Sequence, residues 1–425
     1  MDTVQDLHLR IDAQILDAKN LHSAVQSLLD QTAPRDSEFR PSSQTFNTTI
    51  RKEDRHKEGI YFTPKKVRDR LFEVLNGMNF KPNTILEPCF GTGEFLSDAQ
   101  VHYPSASFFG VEKNEKLFQS FTNTNVHTKH QDFLTYSAEK VECIIGNPPY
   151  CVTKEKNPEC MIGKGNLFVQ FLYTCVKHHL KEGGVLAFIL PTSFLNSSYY
   201  QPCRNYLAKN TTIRHLELLN DAGFCDTSQG TFLFVLEHVK PPSNLPYVFQ
   251  FQGNAYFSPQ YKELRTLVQG TNTLRDMGFS VKTGEIVWNE CKADLHDTEG
   301  TYVLHPANIV ANTLVLNNLK PNAEKKQRVK HPLHTPQRGP AIIVNRGYGN
   351  NYKLQYAYVG PEIEFYGENH VNVITATREE AKTQFSKLTQ SFQDPRTKQF
   401  IEMFVGNGAL SKTELETLLP IFPTA

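Results

Sequence analysis

At 425 residues, 39% hydrophobic and 21% charged, the chain is long enough for two ordinary domains, each with a sizeable core. Lys and Arg number 45 against 44 Asp and Glu, so there is no global basic signal and a polyanion partner would have to be met by a local patch. No apolar run approaches the ~20 residues of a membrane span, Met1–Asp6 lacks the regions of a signal peptide, and eight scattered cysteines contain no C-x-x-C pair. These features argue against a membrane protein, a secreted protein, a disulfide framework and a metal site, and predict a cytoplasmic chain with reduced thiols.

In chain order, Val4, Leu7, Ile11, Ala18, Leu21, Val25 and Leu28 recur at steps of three and four and predict a helix running to about Asp30. Its stripe either lies on the protein's own body or supports self-association through a coiled-coil contact. Residues 31–57 turn polar, with Pro34, Pro41, Ser42 and Ser43, and read as a linker or mobile loop. Order resumes at Gly59-Ile60-Tyr61-Phe62-Thr63-Pro64, where Thr63 is the expected N-cap and Pro64 the first residue of a helix.

A short apolar strand, Thr84 to Leu86, then runs into Glu87-Pro88-Cys89-Phe90-Gly91-Thr92-Gly93 and a following helix. Gly91 and Gly93 let a ligand approach the backbone closely. A second strand, Ser107 to Val111, ends in Glu112, an acid placed to grip two ribose hydroxyls, and a third ends in Asp132-Phe133. The fourth, Val141 to Gly146, stops at Asn147-Pro148-Pro149-Tyr150. Two prolines forbid helix, so the Asn147 amide and the Pro148 carbonyl project past the strand end as acceptors, and Tyr150 supplies a flat face. Such a tip suits an amine-bearing planar ring; a buried strand closed by a Pro-Pro turn is the plain alternative. Residues 166–180 read as a helix and Val185 to Leu190 as a buried strand. Strands over 213–219 and 231–239 flank a loop carrying Phe224, which either plugs the core or lies near the active edge.

Together these motifs, over residues 59–239, resemble the gamma-group adenine-N6 DNA methyltransferases of type II restriction-modification systems. The fold class this implies is α/β, a doubly wound S-adenosylmethionine-dependent methyltransferase (Rossmann-like) sheet. An N-terminal helical extension and linker (1–55), the catalytic domain (56–240) and a separate α+β C-terminal target-recognition domain (241–425) complete the organisation. The resemblance implies S-adenosylmethionine as cofactor, with Thr63, Glu87, Cys89, Gly91 and Gly93 at its methionine end, Glu112 at its ribose, and Asp132 and Phe133 at its adenine. It implies Asn147, Pro148 and Tyr150 as holders of a flipped adenine, with Phe224 as second stacking ring and Phe232 as a substitute. A protein-glutamine methyltransferase, a non-catalytic DNA-binding relic and an N4-cytosine specificity remain as alternatives.

Beyond Lys240 the sequence is less legible. Between Asn312 and Gln355, Lys320, Lys325, Lys326, Arg328, Lys330, Arg338, Arg346 and Lys353 face one acid, Glu324, with His331, His334, Tyr348 and Tyr352 interleaved. This segment is the expected contact for double-stranded DNA, against a solvated basic face as the alternative.

Overall fold

The computed structural model describes residues 38–163, 165–219, 230–241, 244–318, 326–330, 335–347, 352–404 and 410–423. The expected N-terminal helix over 4–30, Phe224, Lys320, Lys325, His331, His334 and Tyr348 lie outside the described residues. The chain divides into two compact units, Met1–Val248 with Ala255–Pro259, and Phe249–Asn254 with Gln260–Ala425.

In the first unit seven strands make one sheet: β1 (Thr84–Glu87), β2 (Ser107–Glu112), β3 (Val126–His130), β4 (Val141–Gly146), β5 (Leu180–Pro191), β6 (Thr212–Leu219) and β7 (Thr231–Glu237). Their order is β3-β2-β1-β4-β5-β7-β6. The first five are parallel, and β7 runs antiparallel between β5 and β6. Order reverses between β1 and β4, and at such a switch point the carboxyl ends of the strands leave a crevice.

Alternation along the strands gives the sheet two buried faces. Leu186, Phe188 and Leu190 of β5 share one core with Leu86, Ile144, Phe232 and Phe234. Against it pack Phe168, Val169 and Leu172 of α6 (Leu167–Thr174) and Cys203 and Leu207 of α7 (Gln201–Asn210). Val185, Ala187 and Ile189 point the other way, into a core with Ile85, Cys143 and Ile145. That face is covered by Val67, Leu71, Phe72 and Leu75 of α3 (Lys65–Gly77) and by Phe95, Leu96 and Ala99 of α4 (Glu94–His102). Helices on both faces are why the central strands read as continuous apolar runs rather than alternating ones. Phe232, the substitute considered for a stacking ring, is fully buried against Phe234, 5.6 Å between centroids, and is a core residue.

Three local expectations are corrected. The segment expected as a linker folds from residue 41 into α1 (Pro41–Thr49) and α2 (Lys52–Glu58). Two of its polar side chains leave water: Arg55 Nη1 donates to the Asn47 and Ile50 carbonyls at 2.8 and 2.6 Å, and Ser43 is buried. The helix expected over 166–180 ends its α-helical part at Thr174 and passes through a π-helical turn, Cys175–His179. Strand β5 then starts at Leu180, five residues before Val185.

The second unit is α+β. Strands Phe279–Thr283, Val371–Ala376, Ala341–Asn345 and Tyr356–Val359 form an antiparallel sheet in that order, and five shorter strands form a second sheet. Helices Phe385–Gln393 and Pro395–Phe404 bury Phe385, Leu388, Phe400 and Ile401. Among the described residues no helix is long and apolar enough to cross a membrane.

Candidate functional site

The carboxyl ends of β1, β2 and β4 deliver Glu87, Glu112 and Asn147 to a single cavity of about 600 Å³. Thr63, Cys89, Gly91, Asp132 and Phe133 also line it, so of the residues expected around a cofactor only Gly93 does not. Gly93 lies just beneath, in the turn that starts α4, with a left-handed φ of +79° and the Phe121 ring 2.1 Å from where a Cβ would sit. Gly91 is different. It too is left-handed, at +55°, but a Cβ there would meet nothing nearer than Phe62 at 3.8 Å, so its backbone faces open space.

Glu112 is fixed by two amides: Gly91 N–H donates to Oε2 at 2.9 Å and Asn114 N–H donates to Oε1 at 2.7 Å. The first of these bonds ties the end of β2 to the glycine turn after β1. Asp132 accepts from Leu134 N–H at 3.0 Å through Oδ1 and pairs with Lys113 at 2.8 Å through Oδ2. Phe133 reaches the cavity from the core, where its ring packs on Phe171 and His179 at 5.1 and 5.0 Å.

Thr63 is not the N-cap expected. The helix α3 starts at Lys65 with Pro64 as its cap, and Thr63 sits one residue too early for its hydroxyl to reach the helix amides. Instead Asn147 Nδ2 donates to Thr63 Oγ1 at 3.1 Å. The other end of that amide, Asn147 Oδ1, is buried and accepts no hydrogen bond. Tyr150 is oriented by its hydroxyl, which donates to the Ile189 carbonyl at 2.8 Å, and by edge contact with Phe168 at 6.0 Å.

Charge in the cavity is unbalanced. Glu87, Glu94 and Glu112 are 2%, 5% and 7% exposed. Burial pushes the Glu87 carboxyl well above the ordinary carboxylate range, and Glu94 and Glu112 push it further. Glu94 and Glu112 are raised as well, again mainly by burial. Arg68 answers Glu94 at 3.2 Å and Asp98 at 2.6 Å, whereas Glu87 Oε2 is buried without a partner. Two acceptors, one carboxylate and one amide, therefore stand unsatisfied in the same cavity. A buried unpaired acceptor costs on the order of 1–3 kcal/mol, so both mark places where a donor ligand is favoured.

The Eco57I restriction-modification methylase family pattern matches residues 96–223. A type II methyltransferase, M.CvrRI, from Paramecium bursaria Chlorella virus XZ-6E is 28% identical over 395 residues, 90% of this chain and 99% of the relative. The modification methylase CviBIII of Paramecium bursaria Chlorella virus NC1A is 40% identical over 191 residues, 43% of this chain and 50% of the relative. The chain is similar to type II restriction-modification methyltransferases. It spans nearly all of the first relative and half of the second. Among solved structures, a class I S-adenosylmethionine-dependent methyltransferase from Listeria monocytogenes aligns at 19% identity with a TM-score of 0.40, over 48% of this chain and 68% of that one.

Several residues at the site escaped sequence reading. Glu94 accepts at Oε1 from the Ser43 hydroxyl at 2.6 Å and from Arg40 N–H at 3.1 Å, and Ser43 also shares a 2.6 Å hydrogen bond with Thr92. These residues come from the supposed linker, and no local pattern announces a contact made across some 50 positions. The one available signal was an acid directly after Gly93, at the start of α4, where the helix dipole favours negative charge.

The basic segment lies in the second unit, and there its charges meet acids that no count of neighbouring residues includes. Lys326 pairs with Asp297 at 2.8 Å and Lys330 with Glu299. Arg328 lies over the Tyr302 ring, 3.7 Å from its centroid, and donates to the Gly300 carbonyl at 2.8 Å. Arg338 donates to Pro361 O at 3.1 Å and Arg346 to Asn369 O at 2.7 Å.

Proposed function

We propose that this chain transfers a methyl group from S-adenosylmethionine to the exocyclic N6 amine of an adenine flipped out of double-stranded DNA at a specific sequence. The observation that carries the reading is Asn147 Oδ1, a buried acceptor without a donor at the tip of β4, three residues before Tyr150. An adenine amine offers two N–H donors, one for Asn147 Oδ1 and one for the Pro148 carbonyl. Holding both hydrogens draws the nitrogen lone pair out of ring conjugation and towards the incoming methyl. Alignment and these two acceptors supply most of the rate, which is why no basic side chain is needed at the amine.

The cavity fits a cationic cofactor. S-adenosylmethionine supplies an electrophilic methyl on a positively charged sulfur that departs neutral. The Glu87 carboxyl, with Oε2 unpartnered and its pKa raised by burial, becomes a counter-charge when the ammonium of a methionine end beside it favours the ionised form. Glu112, held at the end of β2, has lone pairs left for two ribose hydroxyls; Asp132 and Phe133 line the same cavity where the cofactor's adenine would lie. Lys320, Lys325, Lys326, Arg328, Lys330, Arg338, Arg346, Tyr348 and Lys353 are proposed to contact DNA, the lysines at phosphates and Arg346 at a base edge.

The family favours DNA over a protein glutamine as methyl acceptor, since restriction-modification methylases act on DNA. Methylation-sensitive sequencing of DNA from cells expressing this chain tests the reading. N6-methyladenine at one recurring sequence is the expected result, lost in Asn147→Ala; N4-methylcytosine or no modified base would overturn it.

A further inference from the structure

We infer that Tyr61 supplies the second face of the slot that receives the flipped base, opposite Tyr150. This inference rests on the proposed DNA reading and deepens it.

The two rings lie nearly parallel, at 29°, with centroids 6.3 Å apart. That spacing is near the outer limit of direct ring contact. A flat base in van der Waals contact with both faces needs about 7 Å between them, twice the 3.5 Å carbon contact distance. The rings are therefore already aligned and only a small widening separates them from a sandwich.

Tyr61 is tied to the Asn-Pro-Pro-Tyr loop on both sides of its own position. Two residues before it, Gly59 lies so close to the loop that a Cβ would come within 3.0 Å of both Pro149 Cβ and Tyr150 N. Two residues after it, Thr63 accepts from the Asn147 amide. Tyr150 is fixed independently through its hydroxyl bond to Ile189. One wall of the slot is thus rigid, and the other belongs to a strap that registers against the same catalytic loop. Asn147 Oδ1, the acceptor proposed for the amine, belongs to the same loop, and both Tyr61 and Asn147 line the cavity. A ring entering between the two tyrosines meets the orphaned acceptor with its edge, which is where adenine carries its amine.

The test is steady-state methyl transfer on duplex DNA, together with fluorescence of 2-aminopurine placed at the target adenine and S-adenosylmethionine binding by calorimetry. Tyr61→Ala should lower kcat/KM for DNA by about 5- to 150-fold, the range found when a base loses one aromatic stacking partner, and should change the 2-aminopurine signal of the flipped base. Cofactor affinity should stay near the parent's, and Tyr61→Phe should restore most of the loss. Tyr61→Leu keeps the apolar bulk without the ring, so it controls for folding and should remain impaired. Parental kcat/KM and fluorescence in Tyr61→Leu would overturn the inference, as would a loss in Tyr61→Ala confined to cofactor binding. A parent that methylates no DNA would instead overturn the underlying reading and the inference with it.

Discussion

Asn147 gives one end of its amide to Thr63, 3.1 Å away, and leaves Oδ1 as the end that meets the cavity. The bond joins the tip of β4 to Thr63, two residues before α3 and 84 positions away in the chain. It orients the amide before any ligand arrives, and in the proposed methyl transfer such preorganisation is what Asn147 would contribute.

If Thr63 sets that orientation, Thr63→Val should leave the protein folded and lower the single-turnover rate of methyl transfer by on the order of 10²-fold, the effect of a small misplacement of a reacting group. Thr63→Ser keeps the hydroxyl and should stay within a few-fold of the parent. Equal rates for Thr63→Val and the parent would show that the Asn147 amide is oriented without it.

Asn147→Ala removes the acceptor itself. Methyl transfer should be abolished, while calorimetric binding of S-adenosylmethionine and retention of DNA on gels remain largely intact, because the contact is made to a reacting amine. Substantial turnover in this variant would mean that Asn147 only closes the turn.

Glu112 carries two tasks. Its carboxylate accepts from Gly91 and Asn114 amides, and in the proposed complex it also accepts the ribose hydroxyls. Glu112→Ala should therefore weaken cofactor binding by about 1.5–3 kcal/mol for each charge-assisted bond lost, and should also speed hydrogen exchange at the Gly91 amide. An unchanged dissociation constant would separate the two tasks and leave only the structural one.

Glu87 gives a pH prediction with a definite sign. In the unfolded chain its carboxyl loses a proton as pH passes the ordinary 4.5, whereas in the folded protein burial and the neighbouring Glu94 and Glu112 hold the proton to a well higher pH. Between those two values the folded state binds more protons than the unfolded one, so stability falls as pH rises. Glu87→Gln removes this effect. Its thermal unfolding without ligand should match the parent's near pH 4 and exceed it above neutrality by on the order of 1–3 kcal/mol, while cofactor binding weakens. A parent that stays as stable as the variant at high pH would show that Glu87 is compensated by a group other than a bound ligand.

The catalytic half was legible because its signals are local. Glu87, Glu112 and Asn147 each end an apolar run, and a strand end followed by a turn residue fixes position within one or two residues. The helices α1 and α2 were not legible, because Ser43 and Arg55 are polar in sequence and buried in structure, Ser43 donating to Glu94 51 positions away and Arg55 to the Asn47 carbonyl of the neighbouring helix. Thr63 was misassigned for a related reason: capping and tertiary bonding use the same hydroxyl, and the sequence Thr-Pro does not say which wins. In the basic segment the local charge count was incomplete. A count over residues 312–355 sees one acid, but Asp297 and Glu299 lie just before that window and pair with Lys326 and Lys330.

Those two acids make the DNA proposal for the second unit testable from the side of the anions. Lys326 and Lys330 are paired in the free protein, so to hold phosphates each must first give up a carboxylate, and both pairs are partly exposed and weak. If the segment contacts DNA, the double variant Asp297→Asn with Glu299→Gln should bind duplexes of any sequence more tightly. It should also steepen the fall of log affinity with log salt by up to about two charges' worth of slope, because both lysines become free to release counterions. The triple variant Lys325→Ala, Lys326→Ala, Arg328→Ala should move both quantities the other way. Arg346→Ala should act on one base pair, costing on the order of 1–3 kcal/mol there and little elsewhere. Binding isotherms between low and physiological salt read all three variants. An unchanged slope in both the acid-free and the triple variant would remove this segment from the DNA interface, leaving Arg328 on Tyr302 and the two ion pairs as contacts that hold the strand Arg328–Val329 between its neighbours on either side of Gly300.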